Sequence, residues 1–334
     1  MKRRSFIKRT TTALTGLGLT ADSYAKTNHK KINKPVKLCV TVEQEKVLFF
    51  AEVINKGLKV VHIADTHLFK DDDRGIPYQV YSNRMAKAYN QTTHFKTQVK
   101  THPEEAFKAV NADVITLVGD IFSFPSEAAI EWVLSKLKDT GIPYIYTAGN
   151  HDWHYEGMEG TLESLRDTWI ERRLLPLYQG NHPLMAAYDI KGIRFLAIDN
   201  STYQINEEQL AFFTDQVASG MPLVLLVHIP LYAPGRNISF GCGNPNWGAA
   251  TDQNFNLERR PRWPEKGHTQ TTFKFHKEVF NAPNLLGIFA GHIHQGSIEM
   301  IKGKPQIVSD DNASGAYLDI SLLPLNNQDK DLIL

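Results

Sequence analysis

Short apolar runs recur along the chain, and most of them have the length of a β-strand. Several are continuous rather than alternating, which is typical of strands that are buried on both faces of a sheet. The pattern predicts strands over nine ranges: 36–42, 46–53, 58–64, 113–119, 143–149, 192–198, 222–228, 285–291 and 316–323.

Helical patterns lie between several of these runs. Residues 126–141 begin with a serine cap, place apolar side chains at helical spacing and end at a glycine. Residues 103–111 and 206–219 show the same pattern. This alternation predicts an α/β fold whose sheets are covered by helices. No repeat or linker divides residues 26–334, so we expect a single domain there.

Two segments depart from this alternation. Residues 68–102 are largely polar, and residues 231–271 are loop-like but rich in Trp, Phe, Arg and Pro. Long loops inside a compact domain are usually functional, and the aromatic content of the second segment argues against simple disorder. We interpret both segments as loops on the substrate side of the domain.

Composition and charge exclude some classes of protein. The chain of 334 residues is 42% hydrophobic and 22% charged, which is typical of a soluble globular protein. The formal net charge is +1, of which residues 1–25 carry +4, so the remainder carries −3. A near-neutral body of this kind indicates no nucleic-acid-binding surface.

The N-terminus has the three-part plan of an export signal: a basic head, a short apolar stretch and a small-residue ending. Residues 3–8, Arg-Arg-Ser-Phe-Ile-Lys, resemble the consensus of bacterial twin-arginine signals. We therefore expect residues 1–25 to be removed after Ala25, with the twin-arginine export machinery as a partner and a periplasmic or otherwise exported location. A basic, disordered cytosolic N-terminus is the alternative. No segment of the mature chain is apolar over the ~20 residues that a membrane span needs.

The chain has two cysteines, Cys39 and Cys242, and no CxxC motif. Two free buried thiols are the commoner outcome for such a pair, while an oxidising compartment would permit a disulfide between them. The sequence leaves both alternatives open.

Polar, chemistry-bearing residues follow five of the predicted strands. The carboxyl ends of parallel strands share one edge of a sheet, so these side chains are expected to meet. Each one alone is an ordinary turn or surface residue. Together they would repel one another or be badly desolvated unless cations lay among them. The set is Asp65, His67, Asp120, Asn150, His151, Asp152, His228, His292 and His294.

The ordered series Asp-x-His, Gly-Asp, Gly-Asn-His-Asp, His and Gly-His-x-His resembles the signature of the calcineurin-like metallophosphoesterases, over residues 60–294. The resemblance implies a four-layer αββα sandwich of two mixed sheets flanked by helices. It also implies a binuclear metal centre at the strand ends that hydrolyses a phosphoester by a hydroxide shared between two ions, ~3.5–4 Å apart.

Carried over position by position, the resemblance implies two sets of metal ligands that share Asp120. Carboxylate oxygen, amide oxygen and imidazole nitrogen independently suit divalent or trivalent Mn, Fe or Zn, and the set contains no thiolate. The first set is Asp65, His67, Asp120 and His294, and the second is Asp120, Asn150, His228 and His292.

His151 has no metal in this scheme, and the resemblance assigns it to protonating the leaving-group oxygen, with Asp152 orienting its ring. His154 matches no motif position, so we expect it at the surface or the pocket rim. Purple acid phosphatases have a tyrosine ligand three residues after the bridging aspartate, where this chain has Ser123, so no tyrosinate–iron colour is expected.

The metal centre specifies a reaction class but not a substrate. We expect a small-molecule or headgroup phosphoester, either a monoester or a diester. The alternatives are nucleotide or pyrophosphate hydrolysis and, from another class, a non-catalytic metal-stabilised protein that binds a glycan or a partner. Candidate substrate residues, each of which could equally be a salt-bridged or packed loop residue, are Arg84, Arg236, Arg259, Arg260, Arg262 and Trp247.

Overall fold

The structure is a computed structural model. It describes residues 31–69, 72, 74, 78–83, 101–109, 111–153, 159–237, 241–251, 265–326 and 328–330. Among these residues, no helix combines the length and apolar character needed to cross a membrane. Several sequence predictions lie outside the described residues: the signal at 1–25, the surface position of His154, and the substrate roles of Arg84, Arg259, Arg260 and Arg262.

Twelve strands occur in the part of the chain that the structure describes. They are β1 (Leu38–Glu43), β2 (Lys46–Ala51), β3 (Leu58–Ile63), β4 (Val114–Val118), β5 (Tyr144–Thr147), β6 (Met185–Ile190), β7 (Ile193–Ile198), β8 (Leu223–Leu226), β9 (Leu285–Ala290), β10 (Ser297–Ile301), β11 (Lys304–Val308) and β12 (Leu318–Pro324).

Five α-helices have their bounds within the described residues: α1 (Thr101–Ala109), α2 (Glu127–Thr140), α3 (Leu162–Trp169), α4 (Glu207–Ser219) and α5 (Gln270–Asn281). Helix α2 begins and ends as its sequence predicts. The Ser126 hydroxyl accepts a hydrogen bond from the Ala129 amide at 3.1 Å, and Gly141 ends the helix in the left-handed conformation with φ 66°.

The strands form two mixed sheets of six strands each. Their orders are β1-β2-β12-β3-β4-β5 and β10-β11-β9-β8-β7-β6. Strands β3, β4 and β5 run parallel, as do β7, β8 and β9, while β12 is antiparallel to β3. The predicted α/β sandwich of two mixed sheets flanked by helices is confirmed.

The core has two parts because the strands are buried on both faces. In β4, Val114 and Val118 belong to an apolar cluster that draws on strands of both sheets, whereas Ile115 and Leu117 belong to the cluster shared with the helices. All five β4 residues are buried. This explains why the strand reads as a continuous apolar run.

One buried polar side chain links the two sheets. His62 of β3 places Nδ1 3.0 Å from the Thr116 hydroxyl of β4 and Nε2 3.2 Å from the Ala290 carbonyl of β9. Burial lowers the pKa of His62 to about 4. The imidazole is therefore neutral at physiological pH and contributes hydrogen bonds rather than charge.

All nine predicted runs contain a strand, but β6, β10 and β11 are additional. All three belong to two hairpins, β6–β7 and β10–β11, and each hairpin turns at a Lys-Gly pair. In the first, Lys191 and Gly192 have φ of 49° and 87°; in the second, Lys302 and Gly303 have φ of 48° and 71°. Positive φ at both turn residues is the signature of a tight hairpin, so the repeated Ile-Lys-Gly triplet is the signal that sequence analysis overlooked.

The structure describes part of each long segment, and residues 79–83 and 101–102 of the first are helical where the sequence predicts a loop. Described residues of 231–271 before α5 contain turns and one isolated bridge, between Leu231 and Cys242. Cys39 and Cys242 are both free thiols.

Candidate metal centre

The loops after β3, β4, β8 and β9 bring their acidic and histidine side chains together at one edge. They form two clusters, within each of which the ligand atoms lie within 4.8 Å of one another. The first cluster is Asp65, His67 and His294, and the second is Asp120, His228 and His292. The described residues therefore contain two candidate metal sites.

The backbone at these positions is unusual. Five of the residues have positive φ, a region that costs a side-chain-bearing residue about 1–3 kcal/mol when it is strained. Such conformations persist only where the surrounding structure enforces them, and they are concentrated at functional sites. The five are Asp65 (55°), His67 (49°), Asp120 (51°), His292 (74°) and His294 (49°).

In the first cluster the imidazoles converge on each other. His67 Nε2 lies 3.0 Å from His294 Nε2, which is itself 3.5 Å from Asp65 Oδ1. The second Asp65 oxygen accepts a hydrogen bond from the His292 amide at 2.7 Å. Asp65 therefore contacts the loop that carries ligands of both clusters.

In the second cluster, hydrogen bonds orient both partners. His228 directs Nδ1 to the Val118 carbonyl at 2.9 Å, which leaves Nε2 3.2 Å from Asp120 Oδ2. The other Asp120 oxygen accepts the His151 amide at 2.7 Å. The residue predicted to bridge two ions thus also holds the main chain of the predicted catalytic histidine.

A neighbouring carboxylate raises the pKa of one histidine in each cluster, whereas the pKa of His67 is lowered. Burial lowers the pKa of His67, and the neighbouring His151 lowers it further. Burial opposes the charged form of His228 as well, but the Asp120 carboxylate raises its pKa to about 10. For His294 the opposing effect of burial is outweighed by Asp65, which raises its pKa to about 9. A bound cation would satisfy the same carboxylates.

The donor chemistry fits a pair of borderline metal ions. Asn150 is 6% exposed, and its Oδ1 is a buried acceptor without a hydrogen-bond partner among the described residues. A buried carbonyl oxygen of this kind requires a partner, and a metal ion is one. With imidazole nitrogen and carboxylate oxygen around it, the set suits Mn, Fe or Zn.

Close packing explains two glycines beside the ligands. A Cβ on Gly149 would lie 2.2 Å from Asp120 Oδ1, and a Cβ on Gly291 would lie 2.4 Å from Asp65 Oδ2. No side chain fits at these distances, so glycine is required at both positions for the loops to approach the carboxylates.

The predicted role of Asp152 requires correction. Its Oδ1 accepts the Phe122 amide at 2.8 Å, and its Oδ2 accepts the Gly149 amide at 2.8 Å and the Tyr146 hydroxyl at 2.9 Å. Both oxygens therefore hold the loop around the second cluster instead of the ring of His151. Burial, together with the Asp120 carboxylate, raises the pKa of Asp152 to about 7.

His151 lies beside both ligand clusters, next to His67 of the first and Asp120 of the second. Its ring centroid is 4.9 Å from that of His67, and the two planes are nearly perpendicular at 80°. The side chain is partly exposed, whereas Asp120 beside it is buried. The structure therefore places this imidazole next to the ligand clusters, on the solvent side.

Two predicted substrate residues have other partners. Arg236 forms an ion pair with Glu299 and donates to the Ser297 hydroxyl at 3.1 Å. Trp247 is 3% exposed, and its ring stacks on that of Tyr203, with centroids 4.8 Å apart. Arg236 is neutralised, and Trp247 has almost no surface left for a substrate, so the structure favours structural roles for both.

Sequence analysis missed a segment that supports Asp65. The Asn312 amide donates to the Ala64 carbonyl at 3.0 Å, and the Asn312 side chain accepts from the Thr66 hydroxyl at 3.1 Å. The Ala313 amide donates to the Asp65 carbonyl at 3.0 Å. Residues 309–312 are polar and directly follow β11, which is the same strand-end pattern that marks the predicted ligands. The pattern was not recognised because β11 itself was not predicted.

Comparison with known proteins gives the class. The family model described as calcineurin-like phosphoesterase matches residues 58–296, and the chain belongs to this family. The enzymes of the class are hydrolases that act on phosphoester bonds. The matched range includes both ligand clusters and ends before β10.

Individual proteins that the chain resembles have low sequence identity to it. The chain is similar to a probable cyclic nucleotide phosphodiesterase of Fibrobacter succinogenes, 26% identical over 52% of this chain and 58% of that protein. It is also similar to one of a Psychrobacter species, 24% identical over 58% of this chain and 50% of that protein. The matches thus span between half and three fifths of these relatives. A dimetal phosphatase structure from Danio rerio aligns over 78% of this chain and 91% of its own, at 12% identity and a TM-score of 0.48.

Proposed function

We propose that the protein is a metal-dependent phosphoesterase whose substrates are phosphodiesters, with cyclic nucleotides as the first class to test. The observation that carries the proposal is the convergence of two clusters of carboxylate and imidazole ligands at one edge of the fold. The names of the relatives from Fibrobacter and Psychrobacter favour a diester over a monoester.

Bound divalent ions would polarise the phosphoryl group and lower the pKa of water, which is the chemistry that hydrolysis needs. In this proposal Asp120 serves both clusters, and Asn150 offers its amide oxygen to the second. His151 is the candidate proton donor to the leaving oxygen, because its ring lies beside His67 and its amide is bound to Asp120.

The first experiment compares hydrolysis of bis-p-nitrophenyl phosphate, p-nitrophenyl phosphate and 3′,5′-cyclic nucleotides after reconstitution with Mn or Zn. We expect metal-dependent turnover that is faster on the diesters. Asp120→Asn should lose both metal and activity. His151→Ala should lose about 10²–10⁴-fold in turnover while retaining its metal, as expected for a general acid.

Matched controls separate the steps. Metal content by elemental analysis distinguishes a chain that cannot bind ions from one that binds them without turnover. Metal-replete protein with no turnover on any phosphoester would favour the non-catalytic binding alternative and contradict the proposal. Preference for the monoester would contradict the substrate class alone.

We also propose export through the twin-arginine pathway, supported by the pattern of residues 1–25. Replacing the Arg3-Arg4 pair by two lysines should strand the precursor in the cytoplasm, as measured by cell fractionation. Normal export of that variant would refute the twin-arginine assignment.

A further inference from the structure

The loop after β7, residues 199–203, supplies none of the predicted metal ligands, yet it contacts the loops that do. Asn200 exchanges two hydrogen bonds with the backbone of Ile229, donating to its carbonyl at 2.6 Å and accepting from its amide at 3.0 Å. Ser201 accepts a hydrogen bond from the Trp153 indole at 2.8 Å. The loop therefore ties together the segments after β5 and β8.

Tyr203 makes the third contact of this loop. Its hydroxyl lies 2.5 Å from His292 Nε2, and the side chain is fully buried. An imidazole has two ring nitrogens, and with Nε2 at the Tyr203 hydroxyl, Nδ1 is the nitrogen that would bind a metal ion. Metal-binding histidines typically have their other nitrogen bonded to a protein group, which determines the tautomer and the orientation of the ring.

The tyrosine is itself held in place. Its backbone has φ 61°, and its carbonyl accepts a hydrogen bond from His268 Nδ1 at 2.7 Å. Its ring is parallel to that of Trp247 within 3° at 4.8 Å, and the Trp247 ring lies 4.5 Å from that of His268. The hydroxyl is thus positioned by the contacts that Trp247 and His268 make with the ring and the backbone of Tyr203.

We propose that Tyr203 is a positioning residue of the second cluster: its hydroxyl orients His292 so that Nδ1 is the nitrogen presented to the metal ion. The aromatic stack of Trp247 and His268 supports that hydroxyl. The inference rests on the dimetal centre of the proposed function but is independent of the substrate. In this inference Trp247, a candidate substrate residue in the sequence analysis, instead supports the metal site by stacking on Tyr203.

The test uses Tyr203→Phe, which removes the hydroxyl and keeps the ring stack. The control is Tyr188→Phe, which removes the hydroxyl of another buried tyrosine, on the edge strand β6. Metal-free full-length protein is titrated with Mn²⁺ alone, and free Mn²⁺ is followed by electron paramagnetic resonance. We expect Tyr203→Phe to weaken one of two sites about 10–100-fold and leave the other unchanged. Tyr188→Phe should leave both unchanged.

A second measurement needs no variant. In the zinc-loaded wild-type protein, ¹⁵N NMR of the histidine side chains should show His292 with zinc on Nδ1 and a proton on Nε2. Zinc on Nε2 would overturn the inference. Equal Mn²⁺ affinities in Tyr203→Phe and the wild type would also overturn it. So would a tyrosinate-to-iron(III) charge-transfer band in the iron-loaded wild type that Tyr203→Phe lacks, because that band identifies Tyr203 as a ligand.

The outcomes separate this inference from the proposed function. Failure of the wild type to bind two ions contradicts the dimetal centre, and the inference falls with it. Two-ion binding that Tyr203→Phe does not alter contradicts only the positioning role. Lack of phosphodiesterase activity leaves the affinity result unaffected.

Discussion

His62 is predicted to make the protein sensitive to acid. Its imidazole is fully buried between the two sheets, hydrogen bonded to Thr116 and to the Ala290 carbonyl, and burial lowers its pKa from 6.5 to about 4. Below pH 6.5 the imidazole of His62 binds a proton in the unfolded chain, whereas in the folded protein it stays neutral until about pH 4. Stability is therefore lost as the pH falls through this window.

The size of the effect follows from the two pKa values. The interval from 6.5 to about 4 corresponds to about 3 kcal/mol, at ~1.4 kcal/mol for each pH unit. That is a large share of the ~5–15 kcal/mol of stability that a domain typically has. A single buried imidazole, remote from any charge partner, is thus expected to contribute substantially to acid unfolding.

The assay is urea unfolding followed by tryptophan fluorescence between pH 7 and pH 4, with a chelator present so that metal release does not contribute. His62→Gln removes the titrating group and keeps a hydrogen-bonding side chain, so its stability should fall less steeply with acid than that of the wild type. His182→Gln, which removes an exposed imidazole, is the control. Parallel pH profiles for the wild type and His62→Gln would refute the reasoning.

Two further predictions concern the loop after β5, which packs against Asp120 of the second cluster. Gly149→Ala places a methyl group 2.2 Å from Asp120 Oδ1, so it should lose metal content and about 1–3 kcal/mol of stability in thermal unfolding. Gly57→Ala, where the nearest atom is 3.5 Å away, is the control, and equal effects of both would contradict the packing argument. Asp152→Asn should lower the free energy of unfolding in urea by about 1–3 kcal/mol. The asparagine NH₂ group cannot accept a hydrogen bond, so it would face the Phe122 amide, the Gly149 amide or the Tyr146 hydroxyl donor without bonding to it. An unchanged midpoint would show that the Asp152 contacts are dispensable.

Strands buried on both faces were predictable because their environment demands a continuous apolar run. Strand β11 was not, since Lys304 and Gln306 are buried within it. Lys304 donates to the Leu285 carbonyl at 3.0 Å, and Gln306 both accepts from and donates to the backbone of Leu231. These polar residues are satisfied by partners far away in sequence, so a local window does not recognise the strand.

The candidate ligands were as predictable as the strands buried on both faces, because each ligand follows a recognisable strand and the set carries a family signature. Their supporting residues were not. Asn312 and Tyr203 lie in segments with weak local patterns, and their hydrogen bonds to the Asp65 loop and to His292 cross the fold. For Arg236 and Trp247 the sequence left a substrate role and a salt-bridged or packed role open, because their partners Glu299 and Tyr203 are distant along the chain.

The sequence by itself determined the class of fold, the positions of the central strands along the chain and the identity of the groups that converge at their ends. Periodicity and residue type are local properties, and they follow directly from burial and from metal-ligand chemistry. Tertiary structure alone decided that Asp152 holds a loop, that Trp247 stacks on Tyr203, and that β12 lies between β2 and β3. Orientation and partnership depend on which distant segments meet, and no local pattern of the chain encodes that.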